Sequence, residues 1–551
     1  MPVLTVALTT AALVFVGVAT VLAAFLSTVD GVLSLPITWA SLVVAVAPAA
    51  LAFRGCRSTS IGEAPPAGKG DLLALAAFAV VAVRHFLWIV FERSQAFCTP
   101  DPYNYGDLPL HWTYIRYLAR GAPFWPENPI FTGARLQYPF GIDLFTALLV
   151  KVGLSMSGAL RLVGLAGSAA LCVALFRWGR GFAVAAFLCS GGLPAAETAW
   201  KNLFLALFVP QRGFLFALPA GLVLLWSWRE RLLRGRRGLP AWTEGVLWGV
   251  MPLFHLHTFL FVTVMLVVWT LWSRRVRGVA EALAWAVVPG TWTVLEVTNG
   301  FRAASLVWWK PGWVIGPESP LAFLLANFTL FLPLFAWAGW LALRGRDLEG
   351  RATILPGLAL FASLFFVMFA PWDWDNTKIM VWCYLLMLPA AERLVVARLA
   401  PAPRIVLLVG LWAPGAVAAF ASLSPAHAYD VVRVGEEASV CRGLEDLPVS
   451  ARVATVQTFN HPVALCGHPL VAGYSGHLWS HGIRAQEVEE GLRSLMRGET
   501  GWEERARALR ARYVFWGERE ERAFPSSTRP WELTRRPVRQ GSWGRLYDLG
   551  P

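Results

Sequence analysis

Long apolar runs recur through most of this 551-residue chain. They are close to 20 residues in length, which an α-helix needs to cross the hydrocarbon core of a bilayer. Arginines or proline and glycine turns end them, whereas the strands of a membrane β-barrel would show alternation. With 56% hydrophobic and 15% charged residues, the composition also differs from that of a soluble protein. The sequence therefore predicts an α-helical polytopic membrane protein.

About 13 transmembrane helices are predicted from hydropathy. They cover residues 3–27, 32–53, 71–91, 159–176, 181–195, 203–228, 241–256, 258–272, 279–297, 321–343, 352–370, 379–391 and 404–422. The first lacks a preceding basic region and runs straight into the second, so we expect it to be retained and not cleaved as a signal peptide. The stretch 139–157 is also apolar, but counting it would reverse every later loop, and we interpret it as an interfacial helix.

Arginine clusters set the predicted orientation. If the N-terminus is cytoplasmic, the loops 54–70, 177–180, 229–240, 273–278, 344–351 and 392–403 lie inside and carry the clusters, as the positive-inside rule requires. Nearly all of the net charge of +13 lies in residues 1–424, because the 17 basic and 16 acidic residues that follow residue 424 almost cancel. The excess orients loops and gives no evidence for a nucleic-acid partner. We expect a multi-pass protein of a bacterial cytoplasmic membrane.

Two segments are predicted to lie outside the bilayer. One is the loop 92–158, with juxtamembrane helices, inside a transmembrane domain 1–424. The other is 425–551, where strand-like stretches at 452–458, 512–516 and 545–549 and helical ones at 484–497 and 503–510 predict a small extracytoplasmic α/β domain. Cys441 and Cys466 are the only cysteines of that region, and a disulfide between them is expected, with Cys98 as an alternative partner.

The outer loop carries an acidic candidate. Asp107 precedes Pro109 and a helical pattern that Gly121 ends, which predicts a position at or near a helix N-cap, with His111 one turn on. A carboxylate beside a histidine at the membrane interface, followed by an amphipathic helix, favours a catalytic role, and a simple helix cap is the alternative. Asp101 is the nearest rival, and Asp143 begins the next helix as either a cap or a second ligand.

Cations near the outer face are candidates for a phosphate site. Arg212 lies where Pro210 and Gly213 break a span, and a cation there is costly unless it faces a cavity or an anion. Phosphate binding and snorkelling to the interface are both open for it. Arg84, in the third span, invites the same interpretation.

The late outer loop Trp372–Lys378 interleaves charges with indoles. Tryptophans at this level are usually membrane anchors. However, Asp373, Asp375 and Lys378 together could hold a divalent ion and a lipid phosphate, which an anchor would not need.

Histidines form two further pairs. His255 and His257 flank Leu256 at an outer turn, and they suit one metal only if the backbone is extended, with a hydrogen-bonded turn as the alternative. His477 and His481 have helical spacing, but Gly473, Gly476 and Gly482 around them favour a loop. The preferred interpretation of that loop is a lid over the membrane site that contacts the acceptor.

Three stretches resemble the GT-C superfamily of multispanning glycosyltransferases. They are Gly106-Asp107-Leu-Pro-Leu-His111, Asn128–Gly133 with Tyr138–Asp143, and Pro371–Lys378. The resemblance implies transfer of a sugar from a polyprenyl-phosphate donor to an extracytoplasmic acceptor, which is a cell-envelope glycan, a lipid or a protein. It departs from the superfamily pattern in two ways, since the Asp loop follows the third span and a leucine follows Asp107.

The implied roles distribute the candidates as follows. Asp107, His111 and Asp101 are catalytic; Arg212, Lys378 and Arg84 bind the donor phosphate; Asp143, Asp373, Asp375, His255, His257, His477 and His481 contact the acceptor or support the site; and Asp107, Asp373 and Asp375 could hold Mg²⁺ or Mn²⁺.

Two other functions compete with a glycosyltransferase. A transporter or lipid flippase predicts paired ionisable residues at mid-membrane and inverted repeats, whereas the sequence shows mainly interfacial ones and no repeat. A non-catalytic envelope assembly protein, whose outer domain binds a partner, is the third possibility.

Overall fold

The protein is a bundle of apolar helices with a mixed helix and strand region on one side. The computed structural model describes residues 3–58, 66–193, 198–302, 307–317 and 319–550. The last two residues of the expected span 181–195 therefore lie outside the described residues.

Fifteen helices are described before residue 425. They are Val3–Asp30 (α1), Leu35–Ser58 (α2), Lys69–Leu87 (α3), Pro102–Ala119 (α4), Gly141–Lys151 (α5), Met156–Leu188 (α6), Phe214–Trp228 (α7), Ala241–Phe254 (α8), Leu256–Ser273 (α9), Arg277–Val297 (α10), Pro320–Phe328 (α11), Phe331–Arg344 (α12), Leu348–Ser363 (α13), Thr377–Leu394 (α14) and Pro401–Ala421 (α15). Single turns are π-helical at Phe204–Phe208 and Arg229–Leu233, and 3₁₀-helical at Asp373–Asn376 and Val396–Arg398.

Seven further helices follow residue 425, and nine strands are distributed along the described residues. The helices are Val434–Gly443 (α16), Pro462–Leu465 (α17), Ser475–Ser480 (α18), Gln486–Arg497 (α19), Trp502–Ala508 (α20), Glu518–Ala523 (α21) and Pro530–Thr534 (α22). The strands are Phe91–Arg93 (β1), Ala96–Thr99 (β2), Trp308–Trp309 (β3), Val367–Met368 (β4), Tyr429–Arg433 (β5), Val453–Ala454 (β6), Tyr513–Trp516 (β7), Pro537–Gly541 (β8) and Gly544–Asp548 (β9).

The number of spans is lower than the sequence predicts. Within the described residues, eight helices are long and apolar enough to cross a membrane, or nine if α11 and α12, bent by 93°, form one broken span. The stretches 159–176 and 181–195 fall on the one element α6, which has non-helical backbone at Gly179 and Arg180. The stretches 241–256 and 352–370 give helices of only 14 and 16 residues. Thirteen spans are therefore not confirmed.

Helix α5 explains the ambiguous stretch 139–157. Its 11 residues span about 16 Å, roughly half of the hydrocarbon thickness, so it cannot cross a bilayer. Its first eight residues are buried against neighbouring elements, Asp143 among them. The stretch is a helix, as predicted, but it packs inside the protein.

Strand pairing joins the outer loop to the C-terminal region. The middle strand β2 pairs antiparallel with both β1 and β5, and Cys98 lies opposite Asp430. A second contact runs along 128–133, where the Thr132 amide donates to the Val471 carbonyl at 2.9 Å and the Gly473 amide donates to the Ile130 carbonyl at 2.8 Å. The two segments predicted to lie outside the bilayer are thus in direct contact.

The remaining C-terminal strands form one sheet in the order β6-β7-β9-β8, with β6 and β7 parallel. The predicted helices at 484–497 and 503–510 are α19 and α20, and the predicted strands near 512–516 and 545–549 are β7 and β9. That this region is a domain of its own stays a prediction.

The expected disulfide is confirmed. Cys441 and Cys466 are bonded, with Cα atoms 5.1 Å apart, while Cys98 is a free thiol. Closing a loop over 25 residues stabilises the fold by roughly 3 kcal/mol in the chain-entropy model.

The topology predicts that the loop and the C-terminal region are exposed on the same outer face. Ala134→Cys and Glu521→Cys should both react with a membrane-impermeant maleimide on intact cells. Arg236→Cys, in a predicted inner loop and 69% exposed, is the control and should react only after permeabilisation. Protection of either outer cysteine in intact cells would reverse the orientation.

Candidate functional site

A polar cavity of about 170 Å³ lies where the bundle meets the C-terminal region. Its polar lining comes from distant parts of the chain: Asp107, His111, Gln137, Tyr138, Gln211, His255, His257, Asp375, Lys378, His477, Ser480 and His481. The volume equals that of five or six waters at ~30 Å³ each, enough for a small polar group. Five of the protein's nine histidines contribute to it.

Helix α4 supplies the two candidates that the sequence places together. Asp107 and His111 are four residues apart, so their side chains share one face of the helix. The helix is buried along most of its length, between α5, β5 and the C-terminal region, and does not lie along a bilayer as an amphipathic helix would. Its buried position holds both side chains rigidly.

The N-cap of α4 corrects one expectation. Asp101, and not Asp107, caps this helix, since its Oδ1 accepts a hydrogen bond from the Tyr103 amide at 2.8 Å and Pro102 follows at the first helical position. Pro109 lies inside the helix. Two prolines offered two possible helix starts, and the chain uses the earlier one. The helix-cap alternative for Asp107 is therefore removed.

The Asp107 carboxylate lies half-buried in the cavity wall. Gln211 donates a hydrogen bond from Nε2 to its Oδ2 at 3.0 Å. Burial raises the pKa of Asp107 above its ordinary value, and His111 and Lys378 nearby offset part of that shift. A carboxylate with a raised pKa binds a proton more strongly than an exposed one. This suits a group that accepts a hydrogen bond from the hydroxyl of the acceptor substrate.

Lys378 is the cation of the cavity. Its Nζ lies 3.0 Å from Asp375 Oδ1, and the side chain is 15% exposed. Asp373 is not part of the cavity lining and pairs with Lys310. The tryptophan-rich loop thus separates its charges, with Asp375 and Lys378 inside the site and Asp373 outside it.

Arg212 and Arg84 are placed differently from the expected phosphate site. Arg212 is 1% exposed and donates from Nε to Asp143 at 3.1 Å and from Nη2 to Thr146 at 2.9 Å, below the cavity wall. Arg84 donates to the carbonyls of Leu423 and Ser424. Both guanidinium groups donate to protein atoms, although Nη1 of Arg212 is buried without a hydrogen-bond partner, and neither group belongs to the cavity lining.

The histidine pairs both reach the cavity. His255 caps α9, since its Nδ1 accepts from the Thr258 amide at 3.1 Å, and its ring packs 4.1 Å from that of Phe214. His477 and His481 come from α18, a short helix where the glycines had favoured a loop. The hydrogen-bonded turn is therefore the better description of the first pair.

Helix α18 forms the roof of the cavity. Its His481 ring lies 4.9 Å from the Tyr138 ring, and a series of aromatic contacts runs from Tyr105 through Phe459 and Tyr474 to His477. Burial is the main cause that lowers the pKa of His477 to about 4 and that of His481 to about 3. Both rings are uncharged near neutral pH, so each can offer one N–H donor.

The carboxylates considered for a divalent cation are not gathered together. Asp107 and Asp375 both line the cavity, but the first is bonded by Gln211 and the second by Lys378, while Asp373 lies elsewhere. Among the described residues, no group of three or more side chains of His, Cys, Asp or Glu is arranged to hold a metal ion. The residues do not fit the expected Mg²⁺ or Mn²⁺, and no chemical step below uses one.

Sequence reasoning missed four polar residues of the cavity lining: Gln137, Tyr138, Gln211 and Ser480. Gln211 adjoins the singled-out Arg212, and Tyr138 stands in a stretch quoted for the resemblance, but neither carries a charge that would mark it. Only the folded contacts bring them to Asp107 and His481.

Comparisons with known proteins give fold neighbours only. No family model and no curated protein matches the chain. Among solved structures, the Archaeoglobus fulgidus oligosaccharyltransferase tethered to an acceptor peptide is 12% identical, with 87% of this chain and 74% of that one covered and a TM-score of 0.44. Its apo form is 13% identical, with 81% and 69% covered and a TM-score of 0.43.

A third similar structure is the arabinofuranosyltransferase AftD from mycobacteria. It is 16% identical, with 89% of this chain and 40% of that chain covered and a TM-score of 0.46. Both neighbours are glycosyl-transferring proteins by name.

Asp101 is predicted to be a structural cap whose charge destabilises the fold. Burial raises its pKa from 3.8 to about 7, so the folded protein binds a proton that the unfolded chain has lost, and stability falls as the pH rises from about 4 to 7. Asp101→Asn keeps the cap and removes the charge, and it should stabilise the protein above pH 7 by as much as about 4 kcal/mol.

Thermal unfolding in detergent at pH 4.5 and pH 8 checks this prediction. The variant should melt higher than the wild type at pH 8, and the difference should shrink at pH 4.5. A lower melting temperature at pH 8 would show that the carboxylate is stabilising as a charge.

Proposed function

We propose that the protein is a membrane glycosyltransferase that moves a sugar from a polyprenyl phosphate to an acceptor hydroxyl on the outer face of a bacterial cytoplasmic membrane. The observation that carries the proposal is that one cavity is lined by both a half-buried carboxylate, Asp107, and an ammonium, Lys378.

Sugar transfer needs two opposite charges near the reacting atoms. The bond between the anomeric carbon and the phosphate oxygen breaks with its electron pair on the phosphate, while the acceptor oxygen forms the new bond and loses its proton. A cation must bind the phosphate, and a hydrogen-bond acceptor of the protein must bind the hydroxyl of the acceptor substrate. Lys378 and Asp107 supply these two functions within one cavity.

Neutral donors complete the proposed phosphate site. His257 and His481 line the same cavity as Lys378. Their uncharged rings can donate hydrogen bonds to phosphate oxygens without adding a buried charge. This set replaces Arg212 and Arg84, whose guanidinium groups are engaged by Asp143 and by backbone carbonyls.

An apolar groove beside the cavity suits the lipid chain of the donor. It measures about 240 Å³, lies between α8, α9 and α10, and is lined by Trp248, Phe259, Leu283, Ala286, Val287, Gly290, Thr291, Val294, Leu295 and Phe301. From Leu283 to Leu295 it follows about 18 Å of helix. Phe259 lies on the same face of α9 as the cavity residue Leu256, three residues earlier, so groove and cavity adjoin there.

The catalytic prediction concerns Asp107→Asn. Because the change removes the charge that holds the acceptor hydroxyl while keeping the shape, turnover should fall at least about 100-fold with little effect on melting temperature. Cells lacking the gene and complemented with each variant provide the assay, with envelope glycans and polyprenyl-linked sugars measured by mass spectrometry. The unused donor should accumulate, which also identifies it.

Asp373→Asn is the matched control for that experiment. It removes a carboxylate of the neighbouring loop that lies outside the cavity, and glycan levels should stay near those of the wild type. An active Asp107→Asn protein, or equal losses in both variants, would contradict the assignment of Asp107.

The lipid groove predicts a difference between two adjacent valines of α10. Val287 lines the groove and is 48% exposed, whereas Val288 is 74% exposed and faces away from it. Val287→Trp should fill the groove and weaken binding of a long-chain polyprenyl phosphate at least about tenfold, or about 1.4 kcal/mol, while Val288→Trp should not. Native mass spectrometry of the protein in nanodiscs measures both. Equal affinities would place the chain elsewhere.

A further inference from the structure

A buried group of three polar side chains lies directly under the cavity. His111 Nδ1 is 2.8 Å from Asp143 Oδ2, and Arg212 Nε is 3.1 Å from Asp143 Oδ1. All three side chains are at most 2% exposed. They belong to α4, α5 and the turn before α7, and only His111 reaches the cavity.

The contacts fix where the proton of the His111 ring resides. An ionised carboxylate only accepts hydrogen bonds, so the Nδ1 that faces Asp143 must carry a proton and donate it. In a neutral ring, the proton on Nδ1 leaves Nε2 with a free lone pair.

We propose that Asp143 and Arg212 are positioning residues that hold His111 in this tautomer, so that its Nε2 accepts the proton of the acceptor hydroxyl. The proposal rests on the proposed function and assigns separate roles to Asp107 and His111. Asp107, one turn earlier on α4, orients the hydroxyl, and His111 removes the proton. The acceptor oxygen then uses the freed electron pair for the new bond to the sugar, while the phosphate departs with the electron pair of the old bond.

The charge created on His111 is stabilised by the same contact. Once Nε2 is protonated, the imidazolium stays bonded to the Asp143 carboxylate, as in other histidine and aspartate pairs that handle protons. Arg212 holds that carboxylate in its orientation throughout, through its bonds to Asp143 and Thr146. An arginine first considered for phosphate binding thus acts through another residue.

The first test measures the tautomer directly and needs no substrate. Nitrogen-15 NMR of ¹⁵N-histidine-labelled protein in nanodiscs distinguishes protonated from unprotonated ring nitrogens, and the signal lost in His111→Gln assigns His111. In the wild type, Nδ1 should carry the proton. In Asp143→Asn, the amide can donate to Nδ1, and the proton should move to Nε2.

A wild-type ring protonated on Nε2, or on both nitrogens at neutral pH, overturns the proposal. So does an unchanged tautomer in Asp143→Asn. Because the wild-type spectrum is decisive alone, the test survives a variant that fails to fold.

The second test uses the lipid extract that accumulates in cells lacking the gene as the source of donor and acceptor. Asp143→Asn should lower kcat at least about 100-fold with KM unchanged, since binding groups are untouched. In a His111→Gln background the same change should alter kcat by no more than about twofold, because the two residues act as one unit.

A large additional loss in the double variant would mean that Asp143 acts independently of His111, and the positioning role would be wrong. If the NMR result holds but no variant, the wild type included, transfers sugar from any extract, the proposed function fails while the tautomer assignment stands. Melting temperatures of all variants report any general destabilisation separately.

Discussion

The ion pair between Arg212 and Asp143 is the contact on which the site's geometry depends. It joins α5, in the outer loop, to the turn before α7, in the bundle, and both side chains are almost completely buried. Removing one partner of such a pair typically costs 3–5 kcal/mol, about the whole stability margin of some proteins, because the other charge is left buried. Gln211, the residue next to Arg212, then reaches Asp107, and Asp143 reaches His111. One electrostatic contact therefore sets the positions of both candidate side chains on α4.

Backbone hydrogen bonds place the roof relative to this framework. Strand β5 extends the sheet of the outer loop, and the segment 128–133 pairs with residues 469–473, so α18 is held from two sides. A roof fixed in this way covers part of the cavity. Charge interactions between Asp107 and Lys378 are consequently stronger there than they would be on an open surface.

Much of this arrangement could be predicted from the sequence, because it follows from hydropathy and charge. The apolar runs predict the helical bundle, and Asp107, His111, Lys378 and His481, chosen because ionisable side chains near a bilayer are costly without a function, all line one cavity. Hydropathy and charge can be read from short stretches of the sequence, without knowledge of the contacts between distant residues.

The rest depended on contacts between distant residues. Pro102 and Pro109 are equally good helix starts in sequence, and only packing chooses between them. The position of Arg212 in a broken span indicates that its charge requires a nearby anion. The sequence does not show whether that anion is a phosphate or Asp143. The expected 13 spans are not confirmed for a related reason, because short apolar helices such as α8 are buried by neighbouring helices and need not face lipid.

The sheet formed by β1, β2 and β5 has a consequence for biosynthesis. Cys98 and Asp430 are in contact but lie 332 residues apart in the chain. At 5–20 residues per second, the ribosome needs roughly 20–70 s to make the intervening segment. During that interval the edge of β2 lacks its final partner, and the cavity has no roof. Because α18 begins at Ser475 of 551 residues, the cavity is completed only near the end of translation.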